Sequence, residues 1–359
     1  MNKIMLMLVA VMFLLSGTVM GQTEPKSEIG ELKKQISDLR HSHDRIQKGI
    51  DDLLMYERFG DVAYIDKVYL TGPPKPDRVE KNKTRQGYGN PITFQSYVFI
   101  PRDIDSAKKY PLLVLPHGGV HSNFNTFYTH IVRELMAQQY IVVATEYRGS
   151  TGYGKGFYES IDYGGLEVED VYASRKYMAE NYEIVDDARV GILGWSHGGL
   201  IALFNIFNHP TDYKAAYAGV PVSDLVARMG YKSERYRELY SADFHIGKTA
   251  QENVEEYKKR SPVWHAEKLN TPLLIHTNTN DEDVNVLEVE HLIKSLKAAG
   301  KQFEYEVYED IPGGHAFDRI DSKKAKEVRV KIYEFLARYL NPPKPIKDLR
   351  SLQRAAYRF

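Results

Sequence analysis

Hydrophobic residues are arranged differently in different parts of the chain. Over residues 28–57, Ile29, Leu32, Ile36, Leu39, Ile46, Ile50 and Leu53 recur at steps of three and four in an otherwise polar stretch, and His43 fills the one gap. Steps of that kind put all of these positions on one stripe of a helix. The pattern predicts a helix of about four turns or more, docked on its own domain, with a dimerising coiled coil as the competing reading. From about Asp61 the texture changes. Val62–Leu70 and Ile92–Ile100 read as strands, separated by the Gly- and Pro-containing stretch Thr71–Pro91. Short apolar runs then mark further strands at Leu112–Leu115, Ile141–Thr145, Val190–Leu193, Ala215–Gly219, Leu273–His276 and Tyr305–Tyr308. Helical patterns lie between and after them, at Thr126–Gln138, Leu166–Asn181, Gly198–Phe207, Val286–Ala299 and Lys323–Leu340.

Unbroken apolar strands alternating with helices indicate the α/β class, a mostly parallel central sheet with helices on both faces. Residues 222–262 are charged and Tyr-rich and fit a helical segment inserted over the sheet's edge. Pro342, Pro343 and Pro345 end the domain, and the tail beyond is basic. The expected partition is a signal over 1–21, a helical segment over 22–60, the catalytic domain over 61–343 and a C-terminal tail over 344–359.

The signal rests on a positive Met1–Lys3, an apolar Ile4–Leu15 and small or polar residues up to Gly21-Gln22. The apolar run falls short of the ~20 residues of a spanning helix, so cleavage and export to the periplasm or beyond are expected, without stable membrane insertion afterwards. Lys plus Arg and Asp plus Glu both number 48 among 359 residues, which leaves no basic excess to meet nucleic acid. The absence of cysteine removes disulfides, thiolate metal sites, a cysteine nucleophile and lipidation on Cys.

The chemistry is concentrated in a few stretches. Val190–Leu193 runs into Gly194-Trp195-Ser196-His197-Gly198-Gly199 and directly into a helical pattern. Strand, G-x-S-x-G, helix is a nucleophile elbow, whose sharp turn needs glycine two residues to either side of the serine. A serine at its ordinary pKa needs a base. His315 lies in the glycine-bordered loop Pro312–Phe317, and Asp281 and Asp283 lie between, after the strand Leu273–His276. Ser, Asp, His is the α/β-hydrolase order. His315 is the candidate base, and one of the two aspartates is the candidate to orient it. Pro116-His117-Gly118-Gly119 follows another strand and is placed to supply a backbone N–H that joins that of His197 in an oxyanion hole. No H-E-x-x-H motif is present, and neither a metal nor another cofactor is expected.

Taken together, HGGVHS at 117–122, EYRGSTGYG at 146–154, GGLEVEDV at 164–171, GWSHGG at 194–199, SPVWHAEKLNTPLLIH at 261–276, DEDV at 281–284 and GGHAF at 313–317 resemble the catalytic domain of the prolyl oligopeptidase family of serine peptidases, over roughly Ile92 to Leu340. The resemblance implies an α/β-hydrolase fold with Ser196 as nucleophile, His315 as base and Asp281 as the orienting acid. His276-Thr277 stands where the family has His-Gly and the following loop is one residue longer, which keeps Asp283 as a rival. The resemblance also implies Gly119 as an oxyanion donor, although Val120 replaces a common Pro. It makes Tyr147 and Arg148 candidates for the substrate pocket, with an Arg148–Asp170 ion pair as the structural alternative. Full-length members resemble a propeller joined to this domain. Only some 70 residues separate the expected signal from the start of the resemblance near Ile92, too few for two blades of ~40 residues, so no propeller is expected. Access is therefore expected to be shaped by the N-terminal helix and residues 222–262.

Three functions fit. The first is an exported serine peptidase acting on short peptides, and the second a carboxylesterase using the same residues on acyl esters, including those of glycans. The third is a silent scaffold assembling as a homo-oligomer through residues 29–53. The full set of hydrolase motifs favours the first two.

Overall fold

The computed structural model describes residues 25–75 and 83–355, with side chains from residue 28 onward; the expected export signal lies outside them. All eight sequence-predicted strands are present. They are β1 (Ala63–Pro74), β2 (Pro91–Pro101), β3 (Tyr110–Val114), β4 (Ile141–Glu146), β5 (Val185–Trp195), β6 (Ala215–Gly219), β7 (Leu273–Asn278) and β8 (Glu304–Tyr308). Among the described residues every strand belongs to one sheet, in the order β1-β2-β4-β3-β5-β6-β7-β8. The β1–β2 and β2–β4 pairings are antiparallel and the rest parallel. The helices are α1 (Pro25–Phe59), α2 (Thr129–Ala137), α3 (Lys155–Tyr158), α4 (Leu166–Asn181), α5 (His197–Asn208), α6 (Leu225–Tyr231), α7 (Glu234–Ser241), α8 (Val254–Lys259), α9 (Val286–Ala298), α10 (Lys323–Leu340) and α11 (Leu349–Arg354). This is the expected α/β-hydrolase architecture.

The apolar runs are unbroken because each strand is covered on both sides. Leu112, Val114, Val143 and Ile192 belong to one core with α4, α5 and α9. Their neighbours Leu113, Val142 and Leu193 belong to the opposite core with α2, α10 and the end of α1. Successive side chains on a strand point to opposite faces, so two cores require apolar residues at every position. The tail is part of the second core: Ile346 and Leu352 are buried there, and the Ile346 N–H donates to Gln138 Oε1 at 3.2 Å.

Helix α1 docks on the domain, but not through its apolar stripe. Ile29, Leu32, Ile36, Leu39, Ile46, Ile50 and Leu53 are 53–74% exposed. The opposite side makes the contacts, with Lys48, Met55 and Phe59 buried. Asp51 accepts from the Thr126 hydroxyl at 2.7 Å, and Asp52 meets Lys67 at 2.6 Å. The domain presents charge to this helix. The buried Glu146 carboxylate at the end of β4 lies 3.0 Å from Lys48 Nζ, which also donates to the Phe124 carbonyl. A polar side of α1 therefore matches the domain better than its aliphatic one.

Lys48→Met should leave Glu146 buried without its cation. Breaking a buried pair from one side costs about 3–5 kcal/mol, and equilibrium denaturation at neutral pH should show a loss of that order.

Candidate active site

The nucleophile turn is built by close backbone approaches. Ser196 sits between β5 and α5 at φ 58°, ψ −122°, a conformation that a residue with a side chain adopts only under strain. A Cβ on Gly194 would lie 2.2 Å from the Gly198 carbonyl oxygen, and one on Gly198 would lie 2.4 Å from that of Pro116. Both motif glycines are required by contact. The strained serine is pinned by its own backbone: its N–H donates to Gly219 O at 2.9 Å, and its carbonyl accepts from Leu200 and Val222.

His315 lies on a single 3-10 turn, Gly314–Ala316, beyond β8. Its Nδ1 is 2.8 and 2.9 Å from the two oxygens of Asp281. An ionised carboxylate can only accept, so Nδ1 carries the proton and Nε2 is left as the basic nitrogen. Asp281 is fixed in turn by the backbone N–H groups of Asp283 and Val284, each 2.8 Å from its Oδ1. Asp283 is placed differently: its Oδ2 is 3.7 Å from His315 Nε2, while Oδ1 is held by Arg228 and Lys232. Burial opposes ionisation of Asp283, but the Arg228 and Lys232 cations outweigh it and hold the group below its ordinary value.

Ser196, Asp283 and His315 line one cleft of about 420 Å³, together with Gly118, Gly119, Asn123, Phe127 and Arg319. An adjoining pocket of about 300 Å³ shares Gly119, Ser196 and Asp283. Its walls are Tyr158, Tyr163, Val222, Tyr236 and Leu239, with Arg40 of α1. Helix α1 and the 222–262 segment thus both border the site, as expected. A larger cavity of about 810 Å³ lies elsewhere and contains none of the sequence-predicted residues.

Gly119 has φ 76° and lines both cavities together with the serine. His197 is the first residue of α5, where helix N–H groups lack intrahelical acceptors. Its ring is buried away from solvent against Tyr163, with centroids 4.1 Å apart, and burial holds it well below its ordinary pKa and therefore neutral.

Tyr147 and Arg148 are not among the residues lining either cavity, which corrects the pocket reading, and for Arg148 the alternative pairing with Asp170 is the one found. Both are fully buried. The Tyr147 hydroxyl donates to the His117 carbonyl at 2.9 Å and its ring stacks on His117, beneath the 117–119 turn. Arg148 makes a two-bond pair with Asp170 through Nε and Nη2, each contact 2.7 Å; Nη2 also donates to Pro73 O, and the Arg148 backbone N–H donates to Asp170 at 3.0 Å. A guanidinium buried on this side of β4 has to be paired, and Asp170 on α4 is the available carboxylate.

Two positioning groups had no sequence signal. Asp318 accepts from Trp195 Nε1 at 2.6 Å and from the Tyr217 hydroxyl at 2.8 Å, tying the His315 loop to the strand that carries Ser196. Glu282 Oε2 accepts the His315 backbone N–H at 3.0 Å. Only their proximity to the motif residues, three positions past His315 and one past Asp281, could have marked them.

Glu167, 3.4 Å from His197 Nε2, is wholly buried. Burial and the nearby Asp162 push its carboxyl up from 4.5 to about 8. The folded state therefore binds this proton more tightly than the unfolded chain does. The resulting stability is complete below about pH 4.5 and is lost as pH rises through about 8. Glu167→Gln removes the titration. Thermal unfolding from pH 5 to 8 should show the variant gaining on the native protein as pH rises, whereas a constant difference would mean that Glu167 is ionised when folded.

Comparison with known proteins places this site in context. Residues 125–343 match the model of the prolyl oligopeptidase family. An uncharacterised peptidase, YuxL, of Bacillus subtilis is 29% identical over 213 residues, 59% of this chain and 32% of its own length. The acylamino-acid-releasing enzyme of Sus scrofa is 27% identical over 248 residues, 67% of this chain and 32% of its own. The chain thus spans about a third of the length of these relatives. The crystal structure of an acylaminoacyl peptidase from Pyrococcus horikoshii superposes with a TM-score of 0.63 at 18% identity, covering 83% of this chain and 45% of that one, which shows a shared fold. With the family match covering more than half of the chain and the motifs assembled on one cleft, this protein belongs to the prolyl oligopeptidase family.

Proposed function

We propose that the protein is an exported serine peptidase that cleaves short peptides through an acyl-enzyme on Ser196. The observation that carries this is the Asp281–His315 contact of 2.8 Å, which holds the Nδ1 side of the ring and turns His315 Nε2 toward the cleft shared with Ser196, where Asp283 Oδ2 is 3.7 Å away. His315 takes the Ser196 proton as Oγ attacks the scissile carbonyl, while Asp281 holds the tautomer and stabilises the imidazolium. Charge on the carbonyl oxygen is met by the N–H groups of His197 and Gly119. His315 then protonates the leaving amine, and water completes the cycle by the reverse path.

The two cavities divide the substrate. The tyrosine-lined pocket receives the acyl side, with Arg40 at its border, and the cleft beside Phe127 and Arg319 receives the leaving group. Support for a peptidase over an esterase comes from the relatives, whose names denote peptidases and acylamino-acid-releasing enzymes. Asp283 serves to hold the inserted segment at the cleft rather than to orient the base.

Ser196→Ala and His315→Ala should each lower kcat by ~10³-fold or more, as members of one catalytic unit do. Asp281→Asn should be severe and Asp283→Asn mild; the opposite ranking would make Asp283 the orienting acid. The substrate class is tested by kcat/KM on blocked and unblocked Pro- and Ala-p-nitroanilides beside acetyl and feruloyl esters, with Ser196→Ala as the blank. Anilide turnover is expected. Turnover of esters alone would mean that the site deacylates and does not cleave peptides.

A further inference from the structure

The exposed stripe of α1 has a more specific pattern than apolarity. Written as a heptad, Ile29, Ile36 and Ile50 fall at position a, and Leu32, Leu39, Ile46 and Leu53 at position d, with His43 at the remaining a. The domain-facing residues lie on the other side of the same helix. His41, Lys48 and Met55 fall at f, Asp51 at b, and Asp52 and Phe59 at c. Ring contact between His41 and Tyr158, with centroids 5.0 Å apart, extends the docked face toward the helix's N-terminal half. One face of α1 is thus used by its own domain, and the a/d face points away.

We infer that this stripe is the seam of a parallel, in-register, two-stranded coiled coil between two copies of this chain. Seven aliphatic side chains, each half to three-quarters exposed, amount to an apolar patch on the order of 900 Å², where monomers rarely expose more than a few hundred. Covering it on two copies buries on the order of 1,500 Å², the size of a standard stable interface. β-Branched Ile at a with Leu at d is the combination that favours two parallel strands, and a single polar residue at a fixes register, a place taken here by His43. The flanks contain one pair of opposite charge and one pair of a neutral polar residue with a cation. In a parallel pair each g position faces the e position five residues further along the other helix, so Glu28 meets Lys33 of the second copy and Gln35 meets Arg40. A membrane surface would cover such a stripe differently, since helices that lie in the interface place Trp or Phe among their apolar residues, and this stripe has neither. Because Arg40 also lines the pocket beside Ser196, the seam runs along the rim of the site.

Sedimentation velocity on the protein purified from the cells that make it should give a dimer at micromolar concentration. Leu39→Asp combined with Ile46→Asp should give a monomer with unchanged hydrolytic activity and unchanged thermal unfolding of the domain. The chain has no cysteine, so Leu39→Cys introduces a single thiol. It should form an interchain disulfide under mild oxidation, because only a parallel, in-register pair brings the two copies of position 39 together. A monomeric native protein would overturn the inference, whether or not it binds phosphatidylglycerol vesicles. So would a dimer that survives the double substitution, and a dimer that fails to cross-link through Leu39→Cys would overturn the parallel register.

Discussion

The close approach of α5 to the ends of β5 and β3 is the constraint on which the site depends. A Cβ at Gly194 or Gly198 would fall within 2.4 Å of a neighbouring carbonyl oxygen, and one at Gly118 would press on the Trp195 carbonyl at 3.0 Å. Removing those side chains lets three pieces of backbone pack together. The serine is then forced into its left-handed conformation, with the start of α5 beneath it and the 117–119 turn beside it. Strain at a single residue costs of order 1–3 kcal/mol, and three backbone hydrogen bonds to Ser196 hold it in place. The start of α5 and the 117–119 turn need no separate device to flank Ser196, because the same packing brings them there.

Charge connects this centre to the N-terminal helix. Burial alone would raise the Glu146 carboxyl, yet the Lys48 ammonium, with His117, brings it down to about 2. Glu146 Oε2 lies 3.4 Å from His117 Nε2, which also contacts the Ser150 hydroxyl at 2.8 Å. His117, which opens the 117–119 turn beside Ser196, is therefore seated on a carboxylate whose counter-ion comes from α1. This accounts for α1 binding the domain through a lysine and two aspartates, and it leaves the aliphatic stripe available for another purpose.

The inserted segment is tied down by the same means. Arg228 on α6 reaches Asp283 beside the catalytic loop and Glu288 at the start of α9, at 3.2 and 3.0 Å. Tyr236 and Tyr240 stack behind it, with centroids 4.8 Å apart. A charged, Tyr-rich stretch thus becomes a pocket wall because its cation is shared by two acids, one in the loop after β7 and one on α9. That wall and Arg40 give the site its boundaries.

The sequence by itself determined the sheet, its flanking helices and the positions of Ser196 and His315. Those features are encoded locally, by the periodicity of apolar residues and by glycines that fit only one turn. The family pattern selected Asp281 with Asp283 as rival, and which of the two contacts His315 Nδ1 needed the tertiary structure, because two carboxylates two residues apart look alike until one of them meets a histidine 34 residues away. The placement of Tyr147 and Arg148 was misleading for a related reason: a motif gives proximity in the chain, whereas burial depends on what packs from other elements, here Asp170 on α4. Asp318 was silent because its partners, Trp195 and Tyr217, are more than 100 residues away. Helix α1 shows the division most clearly. Its sequence fixed a helix with one aliphatic stripe, but which side docks was decided by Glu146, buried across the structure and requiring a cation.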